Sequence, residues 1–231
     1  MKKWKTGLLV FGVGLAAFLC GNIFSGQKAV RQAGNSIAAD ESDADREPLR
    51  VALTFDDGPH SVCTPKLLDG LKERGVPASF FVLGQNVEGN EEILQRMQKE
   101  GHLIGNHTFS HKDLTALSEE EAEREVIRTG NAIYEATGEY TPLVRPPFGR
   151  WPDNLDFHVT MIPVLWTLDS QDWKLRSADA AAERVLDEAG PGEVILMHDC
   201  YDSSVEAAFL IIDELEARGY EFVTVDEMIF P

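Results

Sequence analysis

The chain has 231 residues, 43% of them hydrophobic, so it can form the core of one substantial domain and is too short for two large ones. Its formal net charge is -18. Nucleic acid is therefore not expected as a partner, because a phosphate backbone would repel so acidic a protein.

The first 27 residues differ in composition from the rest of the chain. Lys2, Lys3 and Lys5 precede 22 residues, Thr6 to Gln27, that carry no charge. As a helix this stretch would be roughly 33 Å long, enough to cross a hydrocarbon core of about 30 Å. We expect an uncleaved membrane anchor with its basic end in the cytoplasm, which leaves the remainder outside the cell. A cleaved signal peptide is the alternative, although no good cleavage site follows closely.

An acidic segment, residues 28–48, separates the anchor from the folded domain. It has no aromatic residue, which is typical of a disordered linker. The folded domain is predicted at 49–231. Cys63 and Cys200 are its two cysteines, and in an oxidising compartment we expect a disulfide between them. Two free thiols are the alternative.

Short apolar runs alternate with helical segments along this domain. The apolar runs lie at 50–55, 78–84, 102–107, 143–147, 161–169, 193–199 and 221–225. Helices are predicted at 64–75, 90–101, 117–138, 177–189 and 204–219, the third with a capping box of Ser118 and Glu121. This order predicts an α/β fold with a mostly parallel sheet, and about seven strands indicate a closed or nearly closed barrel.

Polar residues follow the predicted strands at their carboxyl ends, where active sites of such barrels lie. They are Asp56, Asp57, His107, Arg145, Asp169, Asp172 and His198. Their shared position predicts one site.

The adjacent pair Asp56 and Asp57 stands at the end of the first strand. Neighbours within a strand point to opposite faces, but Gly58 and Pro59 indicate that the strand has already ended. Both carboxylates can then serve one site. A turn that merely leaves a strand is the alternative, and a glycosidase pair is disfavoured because its carboxyls stand ~5–10 Å apart.

The stretch HTFSH places His107 and His111 at i and i+4, on one face if the segment turns helically. This is a familiar metal-ligand spacing. A divalent cation would also relieve the repulsion between the two neighbouring aspartates. One Asp and two His leave positions open for water and substrate, and zinc suits such donors best. Two surface histidines are the alternative.

Three further residues could complete the site. Arg145 could pair with a carboxylate, and His198 could act as a general acid if a carboxylate orients it. Trp173 offers a flat apolar face of the kind that sugar sites use. The alternatives are a loop salt bridge, a strand-ending histidine and a tryptophan at the edge of the core.

The ordered set of motifs resembles the polysaccharide deacetylases with a NodB-type catalytic domain, carbohydrate esterase family 4. The five motifs are TFDDGP (54–59), HTFSH (107–111), RPPFG (145–149), DSQDW (169–173) and LMH (196–198). The resemblance spans about 49–225. It implies a distorted (β/α) barrel and metal-dependent removal of N-acetyl groups from N-acetylglucosamine polymers; some members are O-acetyl esterases on xylan.

The resemblance also implies a role for each residue around the metal. Asp57, His107 and His111 are implied as ligands of a divalent metal, with zinc expected. Asp56 is implied as the general base that takes a proton from the attacking water. Arg145 is implied to hold Asp56 in place and ionised.

The remaining motif residues are assigned by the same resemblance. His198 protonates the leaving amine and Asp172 tunes it. Trp173 and Leu196 line the acetyl pocket, and Asp169 supports the loop. The backbone N–H of Phe148 helps to bind the oxyanion. The family often has tyrosine at that position, so any role of a hydroxyl is lost here while the N–H remains.

The expected function is a membrane-anchored, metal-dependent N-deacetylase that faces the cell wall and acts on the N-acetylglucosamine of peptidoglycan. A chitooligosaccharide deacetylase and an acetylxylan esterase are alternatives, since a short catalytic domain does not identify the polymer. A non-catalytic sugar-binding relative and an amidohydrolase of small amides are alternatives from other classes.

Overall fold

The computed structural model of the protein describes residues 49–152, 158 and 160–230. The predicted anchor (1–27) and linker (28–48) lie outside these residues. Among the helices within the described ranges, none is long and apolar enough to cross a membrane.

Strands and helices alternate along the described part of the chain. The strands are β1 Leu49–Asp56, β2 Ser79–Val82, β3 Leu103–Asn106, β4 Leu143–Val144, β5 Ile162–Pro163, β6 Leu168–Asp169, β7 Val194–His198 and β8 Tyr220–Val223. The α-helices are α1 Cys63–Arg74, α2 Glu91–Lys99, α3 Glu119–Thr137, α4 Asp172–Leu175, α5 Ala178–Glu188, α6 Asp202–Ala217 and α7 Val225–Ile229. Single turns of 3-10 helix occupy Gly84–Asn86, Leu114–Ala116 and Pro147–Gly149.

All pairings in the sheet are parallel. Seven strands follow the order β5-β4-β3-β2-β1-β7-β6, and β8 pairs with the first half of β1. The predicted α/β fold with a distorted (β/α) barrel is confirmed. The sheet is a curled half-barrel whose edges are β5 and β6, and no ladder joins these two edges within the described residues.

Strand β1 lies in the middle of the sheet and is buried from Val51 to its last residue. Helices cover the sheet, and the core between them includes Phe55, Phe80, Leu67 and Ile211. The rings of Phe55 and Phe80 stack with their centroids 5.4 Å apart. A parallel strand covered on both sides reads as a near-continuous apolar run, as this one does. The acid pair therefore stands at the carboxyl end of a central, buried strand.

Two helix boundaries follow the capping rules. Ser118 and Glu121 form the predicted capping box at the start of α3. Gly75 ends α1 with φ 68°, a left-handed conformation in which glycine is favoured. Helices α4 and α7 were not predicted. A second capping box, Thr224 with Glu227, begins α7 and was an available signal for it.

The middle of the chain contains less strand than predicted. Only Leu143 and Val144 of 143–147 pair in the sheet, because Pro146 and Pro147 have no N–H to donate to a ladder. The run 161–169 divides into β5 and β6, which pair with β4 and β7. Residues 164–167 therefore pass between the two edges of the half-barrel.

The predicted disulfide is wrong, since Cys63 and Cys200 are free thiols in the structure. Each thiol has a polar neighbour of its own. The Cys63 Sγ lies 3.9 Å from Asp202 Oδ1 at the start of α6. The Cys200 side chain contacts that of Tyr201, and burial raises the pKa of the Cys200 thiol to about 12. A thiol with so high a pKa carries very little thiolate, the reactive form, at neutral pH.

Candidate active site

The acid pair stands where β1 leaves the sheet. Asp56 is the last residue of the strand, and Asp57 has φ 72°, a left-handed conformation that turns the chain out of the ladder. Asn86 secures this turn, because its Nδ2 donates to the Asp57 carbonyl over 2.9 Å. Both carboxylates therefore face the His107 ring, with Asp56 Oδ2 at 3.7 Å and Asp57 Oδ1 at 3.5 Å from its Nε2.

The stretch from His107 to His111 is a loop, so the helical turn that the spacing suggested is wrong. Thr108 and His111 have positive φ, 67° and 57°, which folds the loop back on itself. Glu125 of α3 holds it, because its carboxylate accepts from the Ser110 N–H over 2.7 Å and from the Ser110 hydroxyl over 2.8 Å. The two imidazole rings still meet, with centroids 5.0 Å apart.

Asp57, His107 and His111 form the predicted cluster of possible metal ligands. Their ligand atoms all lie within 4.8 Å of one another, and Asp57 Oδ1 is 3.5 Å from His107 Nε2 and 3.6 Å from His111 Nε2. Asp57 Oδ1 is buried and has no hydrogen-bond partner among the described residues. A buried carboxylate oxygen without a donor is costly, and a cation would satisfy it.

The hydrogen bond of His107 and the pKa of His111 are both compatible with metal binding. His107 Nδ1 lies 2.7 Å from the Arg145 carbonyl, which accepts only, so the proton is on Nδ1 and the Nε2 lone pair faces Asp57. Burial, followed by the neighbouring His107, lowers the pKa of His111. The lowered pKa favours the neutral ring of His111, the form of imidazole that binds metal. The donor set of one carboxylate and two imidazoles fits a divalent cation.

Asp56 is paired with a fully buried arginine. Arg145 Nη1 lies 2.9 Å from Asp56 Oδ1 and 2.7 Å from Thr54 Oγ1, and the guanidinium stands over the Phe81 ring at 4.1 Å. The Val164 carbonyl accepts from Arg145 Nε at 3.2 Å. These contacts fix one oxygen of Asp56 and leave Oδ2 directed towards His107.

His198 and Asp172 form a second acid–base pair across the site from Asp57. His198 Nδ1 lies 2.8 Å from Asp172 Oδ1, and the His198 backbone N–H donates to Asp172 Oδ2 over 2.8 Å. Burial alone would lower the pKa of His198, but the hydrogen bond and charge of Asp172, with Asp56 and Asp57, raise it to about 9. Burial would raise the pKa of Asp172, but the bonds to His198 lower it. His198 is therefore protonated at neutral pH.

We expect Asp172→Asn to move the fall of kcat on the alkaline side to lower pH. A general acid is lost as the pH rises through its pKa, and without the Asp172 charge the burial of His198 favours the neutral ring. The measurement is kcat against pH. The matched control is Asp213→Asn, which alters only the surface pair with Arg74. An unchanged alkaline limb in Asp172→Asn would contradict this coupling.

The residues expected on the substrate side lie in the same strands and loops as the candidate site residues. Phe148 is 60% exposed, has φ 59° and places its ring edge-on to His111 at 4.9 Å. Trp173 is 48% exposed at the start of α4, where its backbone N–H donates to Asp172 Oδ1 over 2.8 Å. Leu196 is buried in β7. Asp169 Oδ1 accepts from the Gln171 N–H at 2.8 Å, so this side chain holds its own loop.

Several polar residues that support the site were not predicted. Asn86, Asn106 and Asp199 each lie in or beside a strand-end loop, and Asn106 Oδ1 accepts from the Thr108 N–H over 2.9 Å. For Asn106 and Asp199 the position directly beside a motif was the available signal, whereas Asn86 follows β2 and is distant from every motif in the sequence. Glu125 lies in an acidic helix, and nothing in the sequence distinguishes it from its neighbours.

The curled parallel sheet carries the candidate metal-ligand cluster, the Asp56–Arg145 ion pair and the His198–Asp172 pair at the carboxyl ends of its strands, which places the protein among α/β proteins with a candidate metal centre. A family model described as polysaccharide deacetylase matches residues 43–161. The chain belongs to this polysaccharide deacetylase family.

Individual relatives agree with the family. Peptidoglycan-N-acetylglucosamine deacetylase PgdA of Listeria monocytogenes is 38% identical over 78% of this chain and 38% of that protein. Peptidoglycan-N-acetylmuramic acid deacetylase PdaC of Bacillus subtilis is 43% identical over 81% of this chain and 40% of that protein. The structure of PdaC superposes with a TM-score of 0.76 over 79% of this chain and 90% of the solved one.

Chitooligosaccharide deacetylase of Rhizobium leguminosarum bv. trifolii is 35% identical over 77% of this chain and 91% of that protein. The chain thus spans about two fifths of the length of PgdA and PdaC, and nearly the whole of the rhizobial protein.

Proposed function

We propose that this protein is a metal-dependent hydrolase that removes N-acetyl groups from N-acetylglucosamine residues of peptidoglycan. The observation that carries the proposal is that a possible metal-ligand cluster, a carboxylate and a histidine lie together at the carboxyl ends of the strands. The Asp57–His107–His111 cluster lies beside Asp56, and His198 is the residue of β7 that pairs with Asp56 in the sheet. The names of PgdA and PdaC, both peptidoglycan deacetylases, support the polymer.

Asp57, His107 and His111 would hold the metal, for which zinc is proposed because it suits one oxygen and two nitrogen donors. When bound, a divalent metal supplies Lewis acidity towards the acetyl carbonyl and lowers the pKa of water. Three protein ligands leave room for both the water and the acetyl group.

Asp56 is the general base of the proposed reaction. Its Oδ1 is bonded to Arg145, so Oδ2 is the oxygen available to take the proton of the attacking water. The oxygen of that water forms a bond to the acetyl carbon. The Phe148 backbone N–H is proposed to stabilise the negative charge that then develops on the carbonyl oxygen.

His198 is the general acid. Because its Nδ1 proton is bonded to Asp172, the ring delivers the proton on Nε2 to the departing nitrogen. The C–N bond breaks, and the products are acetate and the free amine of the sugar. Trp173 and Leu196 are proposed to line the acetyl pocket beside this group.

Chitooligosaccharides are the second candidate substrate, because the chain covers 91% of the rhizobial chitooligosaccharide deacetylase at 35% identity. Acetylxylan remains the third. A non-catalytic sugar-binding role is disfavoured, since the proposed base Asp56 and the proposed acid His198 are both present, each with a hydrogen-bond partner, and the three possible ligands lie together.

An extracytoplasmic location completes the proposal. The basic start and 22 uncharged residues support an N-terminal membrane anchor, and peptidoglycan lies outside that membrane. Cleavage of the same segment would instead secrete the domain.

Acetate release tests the choice of polymer. The fragment 49–231, loaded with zinc, is offered peptidoglycan, an N-acetylglucosamine oligomer and acetylated xylan at equal acetyl concentration. We expect the fastest release from peptidoglycan, with mass spectrometry of the digested strands locating the free amine on glucosamine. Faster release from xylan, or free amine on muramic acid alone, would overturn the assignment.

A further inference from the structure

Asp199 directly follows His198 in the chain and lies outside the five motifs. Asp56 and His198 are paired positions in the β1–β7 ladder, and each is the last residue of its strand. The residues that follow them in the chain are Asp57, a possible metal ligand, and Asp199. Asp199 is fully buried, so it does not reach the substrate.

The Asp199 carboxylate belongs to a chain of hydrogen bonds that runs beneath the turn after Asp57. The Thr64 hydroxyl donates to Asp199 Oδ2 over 2.5 Å. The same hydroxyl accepts from the His60 backbone N–H over 2.7 Å, and Thr64 is also fully buried. This network joins the end of β7 to the start of α1.

The turn at Gly58 packs against the Asp199 carboxylate. A Cβ added to Gly58 would lie 2.6 Å from Asp199 Oδ1 and 2.8 Å from Asp199 Cγ, closer than real carbon contacts. The backbone that follows Asp57 is therefore in direct contact with Asp199. This contact also explains the glycine, since any side chain at position 58 would displace the turn.

Burial of this carboxyl is costly, which argues that it is not a simple filler of space. Burial raises the pKa of Asp199 to about 7, against the hydrogen bond from Thr64. An apolar side chain would fill the same space without loss of hydration. What a carboxylate adds is a directed bond to Thr64 and a fixed contact with the turn.

We propose that Asp199 is a positioning residue that sets the distance between Asp57 and His198 by holding the turn at Gly58 against the end of β7. The inference rests on the proposed function, in which these two residues act on the same acetyl group. Displacement of reacting groups by about 1 Å can lower a rate by about 100-fold.

Two substitutions test the proposal in the zinc-loaded protein. Asp199→Ala removes the carboxylate, and Thr64→Val removes the hydroxyl that orients it while keeping the volume. We expect kcat on an N-acetylglucosamine oligomer to fall about 100-fold and about 10-fold, with KM within threefold of the parent. Thr64→Ser keeps the hydroxyl, and its kcat should stay within threefold of the parent value.

The dissociation constant for zinc, measured by competition with a chelating dye, is a second readout that needs no substrate. We expect it to rise about 10-fold in Asp199→Ala. A purely structural role would lower the melting temperature and leave kcat and zinc affinity of the folded protein unchanged, and that result overturns the proposal. If Asp199→Ala does not fold, Thr64→Val decides by the same criteria. Absence of acetate release by the parent protein would refute the proposed function, while the zinc affinities would still test Asp199.

Discussion

Asp56→Asn is expected to lower kcat by about 1,000-fold while the protein keeps one metal ion per chain. The amide retains the shape of the carboxylate, and its oxygen can still accept from Arg145, which lies 2.9 Å from Asp56 Oδ1. It cannot take a proton from water. Because the metal would be held by Asp57, His107 and His111, metal content should not change.

The substitution leaves the charge of Arg145 buried without its partner, so the melting temperature should fall as well. Rates are therefore measured well below the unfolding transition of the variant. Asp69→Asn is the matched control, because it removes a carboxylate whose partner is Arg96 on the outer helices. Its kcat should stay within twofold of the parent. A near-parental rate in Asp56→Asn would exclude this residue as the base.

His107→Ala is expected to abolish both metal binding and acetate release. The ring supplies one of three possible ligands and is held by the Arg145 carbonyl in the tautomer that exposes Nε2. Loss of residues that only orient a ligand costs about 10- to 100-fold in metal affinity, and loss of a ligand should cost more.

Metal per chain after dialysis against stoichiometric zinc is the measurement for this second variant. His158→Ala serves as the control, since this exposed ring contacts Glu123 on α3 and is not part of the cluster. It should keep one zinc per chain. Full zinc occupancy in His107→Ala would refute the ligand set, whatever happens to the rate.

The fold class and the grouping of the site were predictable because both follow local rules. Apolar runs and capping residues mark the parallel strands and the long helices. Parallel strands bring their carboxyl ends to one edge, so polar residues after different strands meet there. Asp56, His107 and His198 therefore lie together although they are distant in sequence.

The parts that could not be predicted depend on side chains from several elements. The spacing of His107 and His111 suggested a helical turn, but Glu125 holds a loop with positive φ instead. The proximity of Cys63 and Cys200 to the motifs suggested a disulfide, but Cys63 begins helix α1, Cys200 follows β7, and both thiols are free. The contact between Asp199 and Gly58 joins two distant parts of the chain, so the sequence alone did not predict it.

Acetate release as a function of bound metal tests the central claim most directly. The fragment 49–231 is stripped with chelator, then titrated with zinc in the presence of an N-acetylglucosamine oligomer, and acetate and zinc per chain are measured together. The account predicts no release from the stripped protein and a rate that rises until one zinc is bound per chain. Release that persists without metal, or none from N-acetylglucosamine polymers with zinc fully bound, would contradict it.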